Sequence, residues 1–465
     1  MRCLFAALLI LAAPAWATPE PVATVTVERN GKSWTADYRL GERAPVWVFS
    51  DSKLPRETKA SWRLGTVRVL TPGVRLQRLG NYDALVAAKG AVPTHVRLSF
   101  TPYLEDIEGG YDPALALADG SVALYAEQFK LIPMKSAEAA RKVPADDEQL
   151  PGIDQPTRLT FQDRSGPVLI HGQREQRPTI DDGSTYVLFG GATPVIGPAM
   201  TTIFDPALPQ WLRDYLNNEL PKVLARYRDE LGPSPVGQPT LLVSWAGPVP
   251  HSISLGGSVL SGMVVMTLAG DGLLKPSDRV SHHARWFVSH ESAHFWLGQA
   301  VHYSDRSESW ITEGGAELLA FRATAAADPT FDARARLSEA RSECEPFLAR
   351  GGIARAYQRP DDFRSYYACG AILALAAEKA SGGDFAKFVR TLIARYGEDQ
   401  TVTRAEWLAL LDEIAPGRKL SLAVAELLDH AQAEPARALD RFIAAAQIGD
   451  QFAPAVSARN DDRRP

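Results

Sequence analysis

The chain has 465 residues, 45% hydrophobic and 23% charged, with 35 Gly and 33 Pro, a balance that excludes a disordered, collagen-like or coiled-coil protein. Its 50 basic and 55 acidic residues give a net charge of −5, without the cationic excess that neutralising phosphate requires, so a nucleic-acid partner is disfavoured. At roughly 100–200 residues per domain the length supports two or three domains, with cores that need no disulfides.

Met1-Arg2, the apolar run over residues 4–16 and the Ala-Trp-Ala ending at Ala17 read as a cleaved secretory signal over residues 1–17. Pro14 and a run shorter than the ~20 residues of a membrane span argue against an anchor. A periplasmic or secreted protein without stable membrane insertion is expected. Residues 18–200 read as a β-rich domain. Val25 and Val27 alternate up to Asn30-Gly31, and Trp34, Ala36 and Tyr38 alternate after it, as a hairpin should. Further short strands are expected at 46–49, 66–70, 74–79, 95–100 and 122–129, and residues 136–155, mixed in charge, as an exposed excursion.

After Pro206 the period changes. Trp211, Leu212, Tyr215, Leu216, Leu220, Val223 and Leu224 recur at helical spacing until Gly232-Pro233. Strands are expected at 240–245 and 263–268, then helices at 286–301, 313–326, 365–379, 385–396, 404–414 and 422–431. A mixed segment leading into a helical one makes the whole α+β. Residues 451–465 read as a disordered tail. Cys344 and Cys369, the two cysteines left after processing, either pair in an oxidising compartment or are two small buried side chains.

Two histidines frame His290-Glu291-Ser292-Ala293-His294. Positions four apart share one helix face, so both imidazoles reach a single zinc ion while Glu291, one position round, faces the metal-bound water. Trp286, Phe287, Leu297 and Val301 supply the apolar stripe that anchors the helix. A catalytic zinc takes three protein ligands and leaves a fourth position to water. Glu313, eighteen residues past His294 and after Ser309-Trp310-Ile311-Thr312, is the candidate third ligand.

His294-Phe295-Trp296-Leu297-Gly298-Gln299 resembles the His-Gln-Trp-Phe-Gly-Asn run of the aminopeptidase-N-like gluzincin metallopeptidases, and Trp310-Ile311-Thr312-Glu313-Gly314 resembles their Trp-Leu-Asn-Glu-Gly. The resemblance covers residues 205–415 and implies a thermolysin-like, mostly helical zinc-peptidase domain over 201–450. It implies one Zn2+ ion on His290, His294 and Glu313, with Glu291 as base and then acid. It also implies a tyrosine that donates its hydroxyl to the tetrahedral intermediate. Tyr367-Ala368-Cys369-Gly370-Ala371 matches that Tyr-x-x-Gly-Ala segment, with Tyr366 the alternative.

One departure bears on specificity. The family's Gly-x-Met-Glu-Asn, whose glutamate holds the substrate amine, aligns with Gly256-Gly257-Ser258-Val259-Leu260. A valine cannot pair an ammonium, so aminopeptidase specificity does not carry over unless Glu308 or Asp305 supplies the charge. The segment can still pair an extended peptide backbone as an edge strand.

The expected function is an exported zinc metallopeptidase acting on a peptide or protein substrate through a zinc-bound water activated by Glu291. The alternatives are a zinc-containing binding or scaffold protein without peptide turnover, and a zinc hydrolase of non-peptide amides or esters. Glu317, one turn past Glu313, reads as a solvated face or as a partner that orients a ligand histidine. His282, His283 and His302 match no zinc spacing and read as surface or capping residues. Arg364 reads as a helix-start charge rather than a carboxylate binder. Ser252, Ser254, Ser258 and Ser261 lack a Gly-x-Ser-x-Gly elbow, which disfavours a serine hydrolase.

Overall fold

The computed structural model describes residues 20–453 apart from 147, 148 and 182. The leader over residues 1–17 and residues 454–465 of the tail lie outside the described residues. The chain divides into two compact units. One is built from residues 20–115, Val122–Ile170 and Arg174–Gly190, and the other from Ala116–Ser121, His171–Gln173 and residues 191–453.

The first unit is a set of β-sheets. Its hairpin pairs Ala23–Asn30 with Ser33–Leu40 across Gly31, whose φ of +59° suits a residue without a Cβ. The register sets Val25 opposite Tyr38 and Val27 opposite Ala36, so the alternating apolar residues share one buried face. Residues Thr157–Asp163 then add to the hairpin in parallel, a long-range pairing that no local pattern announces. Residues 136–155 are not the exposed excursion expected. Ser136 caps a short helix, Ala137–Arg141, and Ala140, Val143 and Leu150 are buried with Val46 and Val48.

The second unit opens with a five-stranded sheet of Val195–Ile196 (β1), Thr201–Phe204 (β2), Thr240–Trp245 (β3), Ser254–Leu260 (β4) and Met263–Ala269 (β5), in the order β1-β2-β3-β5-β4. β2, β3 and β5 are parallel and β4 runs antiparallel at the edge. Between β2 and β3 lies the helix Gln210–Leu231 (α1), which buries Leu212, Leu216, Leu220, Val223, Leu224 and Tyr227 and stops at Gly232, φ +93°. Apart from the short parallel pair His302–Tyr303 and Thr401–Val402, the regular elements that follow are helices: Asp278–Ala293 (α2), Trp310–Ala327 (α3), Ala333–Arg350 (α4), Arg364–Ala380 (α5), Phe385–Tyr396 (α6), Arg404–Ile414 (α7), Lys419–Asp429 (α8) and Pro435–Ala446 (α9). The α+β organisation, β-rich first and mostly helical after, is the one expected. Among the described residues no helix is long and apolar enough to cross a membrane.

The sequence reading is corrected in three further places and one open alternative is resolved. α2 ends at Ala293 rather than near 301, because the chain reverses through Gly298 at φ +149° while Val301 N–H donates to the Trp296 carbonyl. Phe295, Trp296, Leu297 and Val301 are fully buried there, so their apolar spacing reports burial rather than helix. α4 and α9 were not foreseen. α4 carries few apolar residues, but Leu337, Ala340, Cys344, Phe347 and Leu348 recur on one face and bury it. The expected tail begins too early at 451, since Phe452 is buried and its carbonyl accepts from Arg334. Cys344 and Cys369 form a disulfide that joins α4 to α5.

Candidate metal centre

Ser277 begins α2 by accepting a hydrogen bond from Val280 N–H, and Val280, Ala284, Phe287 and Val288 bury one side of the helix. His290 lies in its last turn. His294 is the C-cap and still helical at φ −66° and ψ −13°, so the four-residue spacing holds both imidazoles on one face. α3 is buried on nearly every side, as an apolar helix in the middle of a domain should be, and presents Glu313 in its first turn.

His290, His294 and Glu313 converge. The two Nε2 atoms are 3.2 Å apart, and Glu313 Oε2 lies 3.4 Å from each. Ligands held tetrahedrally at ~2.0–2.1 Å from a zinc ion stand roughly 3.3–3.4 Å from one another, so the triangle has the size a zinc site requires. Glu313 Oε2 is buried and has no hydrogen-bond donor. Glu291 and Glu317 are buried beside it, which leaves three carboxylates around two imidazoles. Buried charge of that kind is stable when paired or when it coordinates a cation, and the donor set fits zinc.

The outer nitrogens are also occupied. His290 Nδ1 is 3.1 Å from Glu317 Oε2, which also accepts from the Trp286 indole N–H at 3.1 Å. His294 Nδ1 is 2.9 Å from the Leu297 carbonyl. Each contact turns Nε2 toward the centre and fixes the tautomer. Glu317 is therefore no solvated face. Burial alone would lower the His290 imidazole, but the facing carboxylates of Glu313 and Glu317 raise it to about 10. Burial acts to raise Glu313, and the two imidazoles outweigh it and hold the carboxyl well below the usual carboxylate range. Glu291 is pushed up by burial, with His290 and His294 opposing.

Tyr367 comes from α5. Its ring stacks on His290, centroids 5.4 Å apart and planes 18° from parallel. Burial, then the negative Glu313 and Glu291, push its hydroxyl far above the ordinary tyrosine value, so the phenol stays protonated. Tyr366 points elsewhere, since its hydroxyl accepts from Tyr357 N–H at 3.1 Å. What lets α5 come so close is a pair of glycines that the sequence motifs contain, in a packing role the motifs do not announce. A Cβ on Gly314, next to Glu313, would come within 2.2 Å of the Gly370 backbone, three residues past Tyr367.

β4 passes beside α2, with Gly257 so close that a Cβ would meet Phe287 at 2.7 Å. Val259 pairs with Val264 and packs half-buried against the core. Both proposed substitute carboxylates already serve as local acceptors. Glu308 accepts from Ser304 and from Arg404 N–H, and Asp305 accepts from Ser307 N–H. His282 is taken up by Asp328 and Thr330, and His283 by the Trp286 ring. His302 lies exposed in the strand His302–Tyr303. Arg364 is bound to Glu343.

No family model matches the sequence, and no curated protein matches it. Solved structures do. An aminopeptidase N family protein from Idiomarina loihiensis superposes with a TM-score of 0.61 at 13% identity over 90% of this chain and 78% of that one. The leukotriene A4 hydrolase of Saccharomyces cerevisiae superposes with a TM-score of 0.51 at 16% identity over 90% of this chain and 69% of that one. The chain therefore has the fold of the aminopeptidase-N-like zinc metallopeptidases, and its low identity to both structures makes it a divergent example of that fold.

Proposed function

We propose that this chain is an exported, single-zinc peptidase whose substrates need no free α-amine. The observation that carries the reading is the triangle of His290 Nε2, His294 Nε2 and Glu313 Oε2, sized for zinc and holding a buried oxygen without a donor. Bound there, zinc would supply a Lewis acid and lower the pKa of water from 15.7 to about 7. Glu291, one position round the helix from His290, is the base that takes a proton from water and delivers it to the leaving nitrogen. Its burial favours that role, because a raised carboxyl keeps a proton more readily than an exposed one. Tyr367, kept protonated, donates its hydroxyl to the substrate oxygen as negative charge develops there. Glu317 and the Leu297 carbonyl hold the imidazoles in orientation. The edge strand β4 offers main-chain hydrogen bonds to an extended peptide, and Val259 offers no charge to its terminus.

The test is a mixed peptide library presented in paired free and N-acetylated forms to the mature chain, with bound metal measured on the same sample. One equivalent of zinc and cleavage of both forms supports the proposal. Cleavage confined to free N-termini would restore the aminopeptidase reading. Val259 also favours a second reading, a zinc-containing binding protein without turnover, and zinc with no cleavage in either form is its signature.

A further inference from the structure

The hydroxyl assigned to the developing oxyanion stands in the first turn of a helix that has no capping side chain. α5 starts at Arg364 after Phe363, with no side-chain cap and no acidic residue in its first turn. An uncapped first turn draws its restraint from packing, and here Ser365 and Tyr366 are buried while Tyr366 N–H donates to the Phe363 carbonyl. The phenol of Tyr367, which leaves that turn, is held in addition from outside its own helix.

Two consecutive residues of α4 do this. Glu343 accepts two hydrogen bonds from Arg364, from Nε at 2.9 Å and from Nη2 at 3.0 Å. Cys344 is bonded to Cys369. Arg364 lies three residues before Tyr367 and Cys369 two residues after it, so α4 grips α5 on both sides of the phenol. The Arg364 guanidinium carbon lies 4.9 Å from the Tyr367 ring centroid, His290 stacks on that ring at 5.4 Å, and Phe363 meets it edge-on at 5.9 Å. A two-bond fork to a carboxylate fixes the plane of a guanidinium as it cannot fix an ammonium, and a fixed cation over a ring fixes the ring. The pair is half in solvent, its side chains 50% and 38% exposed, where ion pairs contribute little to stability. Its placement over the phenol is what remains to be explained.

We propose that Arg364, locked by Glu343, is the positioning residue that aims the Tyr367 hydroxyl at the substrate oxygen; its effect on turnover rests on the peptidase reading above. Arg364 touches no reacting atom and acts through the phenol. Misplacing a catalytic group by about 1 Å costs up to a hundredfold in rate.

The test uses zinc-loaded, full-length mature protein. Arg364→Gln and Glu343→Gln should each lower kcat about tenfold or more with KM within twofold, and Arg364→Lys should restore little of it. In a Tyr367→Phe background Arg364→Gln should change kcat less than twofold, because nothing is left to aim. An equal loss in both backgrounds would overturn the proposal. A second readout needs no turnover: 3-fluorotyrosine placed at 367 should give one sharp fluorine resonance that broadens or moves in Arg364→Gln and Glu343→Gln. An unchanged resonance would also overturn the proposal. A resonance that responds in a protein without Glu291-dependent cleavage would remove the peptidase reading and leave the positioning role standing.

Discussion

Gly314 and Gly370 meet backbone to backbone where α3 crosses α5, and a Cβ on either one would lie within 3 Å of the other's main chain. The contact sets the distance between Glu313, one residue before the first glycine, and Tyr367, three before the second. An alanine in place of a helical glycine usually gains up to about 1 kcal/mol. Here the sign reverses, because the added methyl meets backbone that cannot rotate away, and overpacking of this kind costs about 1–3 kcal/mol or more. Urea denaturation of Gly314→Ala and Gly370→Ala should show that loss.

Glu317 holds the outer nitrogen of His290, and partners of this kind are worth about ten- to a hundredfold in metal affinity. Glu317→Ala should weaken zinc binding by that factor in a chelator competition, whereas Glu317→Gln, which keeps an acceptor oxygen, should lose less. Equal affinity in all three proteins would show that His290 needs no orienting.

The disulfide closes a sequence separation of 25 residues. Loop-closure entropy of that size corresponds to about 3.5 kcal/mol. Cys344→Ser with Cys369→Ser, or reduction of the wild type, should lower stability by that order and lower kcat as the grip on α5 loosens, with bound zinc unchanged.

A pH effect is expected in the first unit. Burial raises the Asp112 carboxyl from its ordinary 3.8 to about 6. The folded protein therefore takes up that proton more readily than the unfolded chain does, so stability falls as pH rises from about 4 through 6, where the folded state must ionise a half-buried acid. Asp112→Asn can keep the hydrogen bond from Ile107 N–H and removes the charge. Its thermal midpoint should equal the wild type's near pH 4 and exceed it near pH 7.5.

Much of the candidate centre was legible because a zinc-binding pattern needs particular residue types at fixed spacing. His290, Glu291 and His294 announce themselves on one helix, and Glu313 and Tyr367 follow from local sequence that resembles a known family. What holds them was less legible. Spacing offered Glu317 both as a solvated face and as an orienting partner, and only the fold chooses the second and adds the Trp286 indole to it, while the glycines after Glu313 and Tyr367 acquire meaning only when two helices cross. Arg364 looked like a surface charge because half of it is one. The missed α4 shows the limit of hydrophobic periodicity, since a helix rich in Arg and Glu needs only five buried positions to dock.

The most direct measurement is turnover of the mixed peptide library by zinc-loaded wild type beside Glu291→Gln, with metal content determined for both. Glutamine preserves the size of the side chain and its place next to His290 but cannot accept a proton from water. One equivalent of zinc in each protein and a loss of cleavage of at least a hundredfold in the variant is the predicted result. Full zinc occupancy with cleavage that is absent from both proteins, or equal in both, would contradict the assignment of Glu291 and the peptidase reading with it.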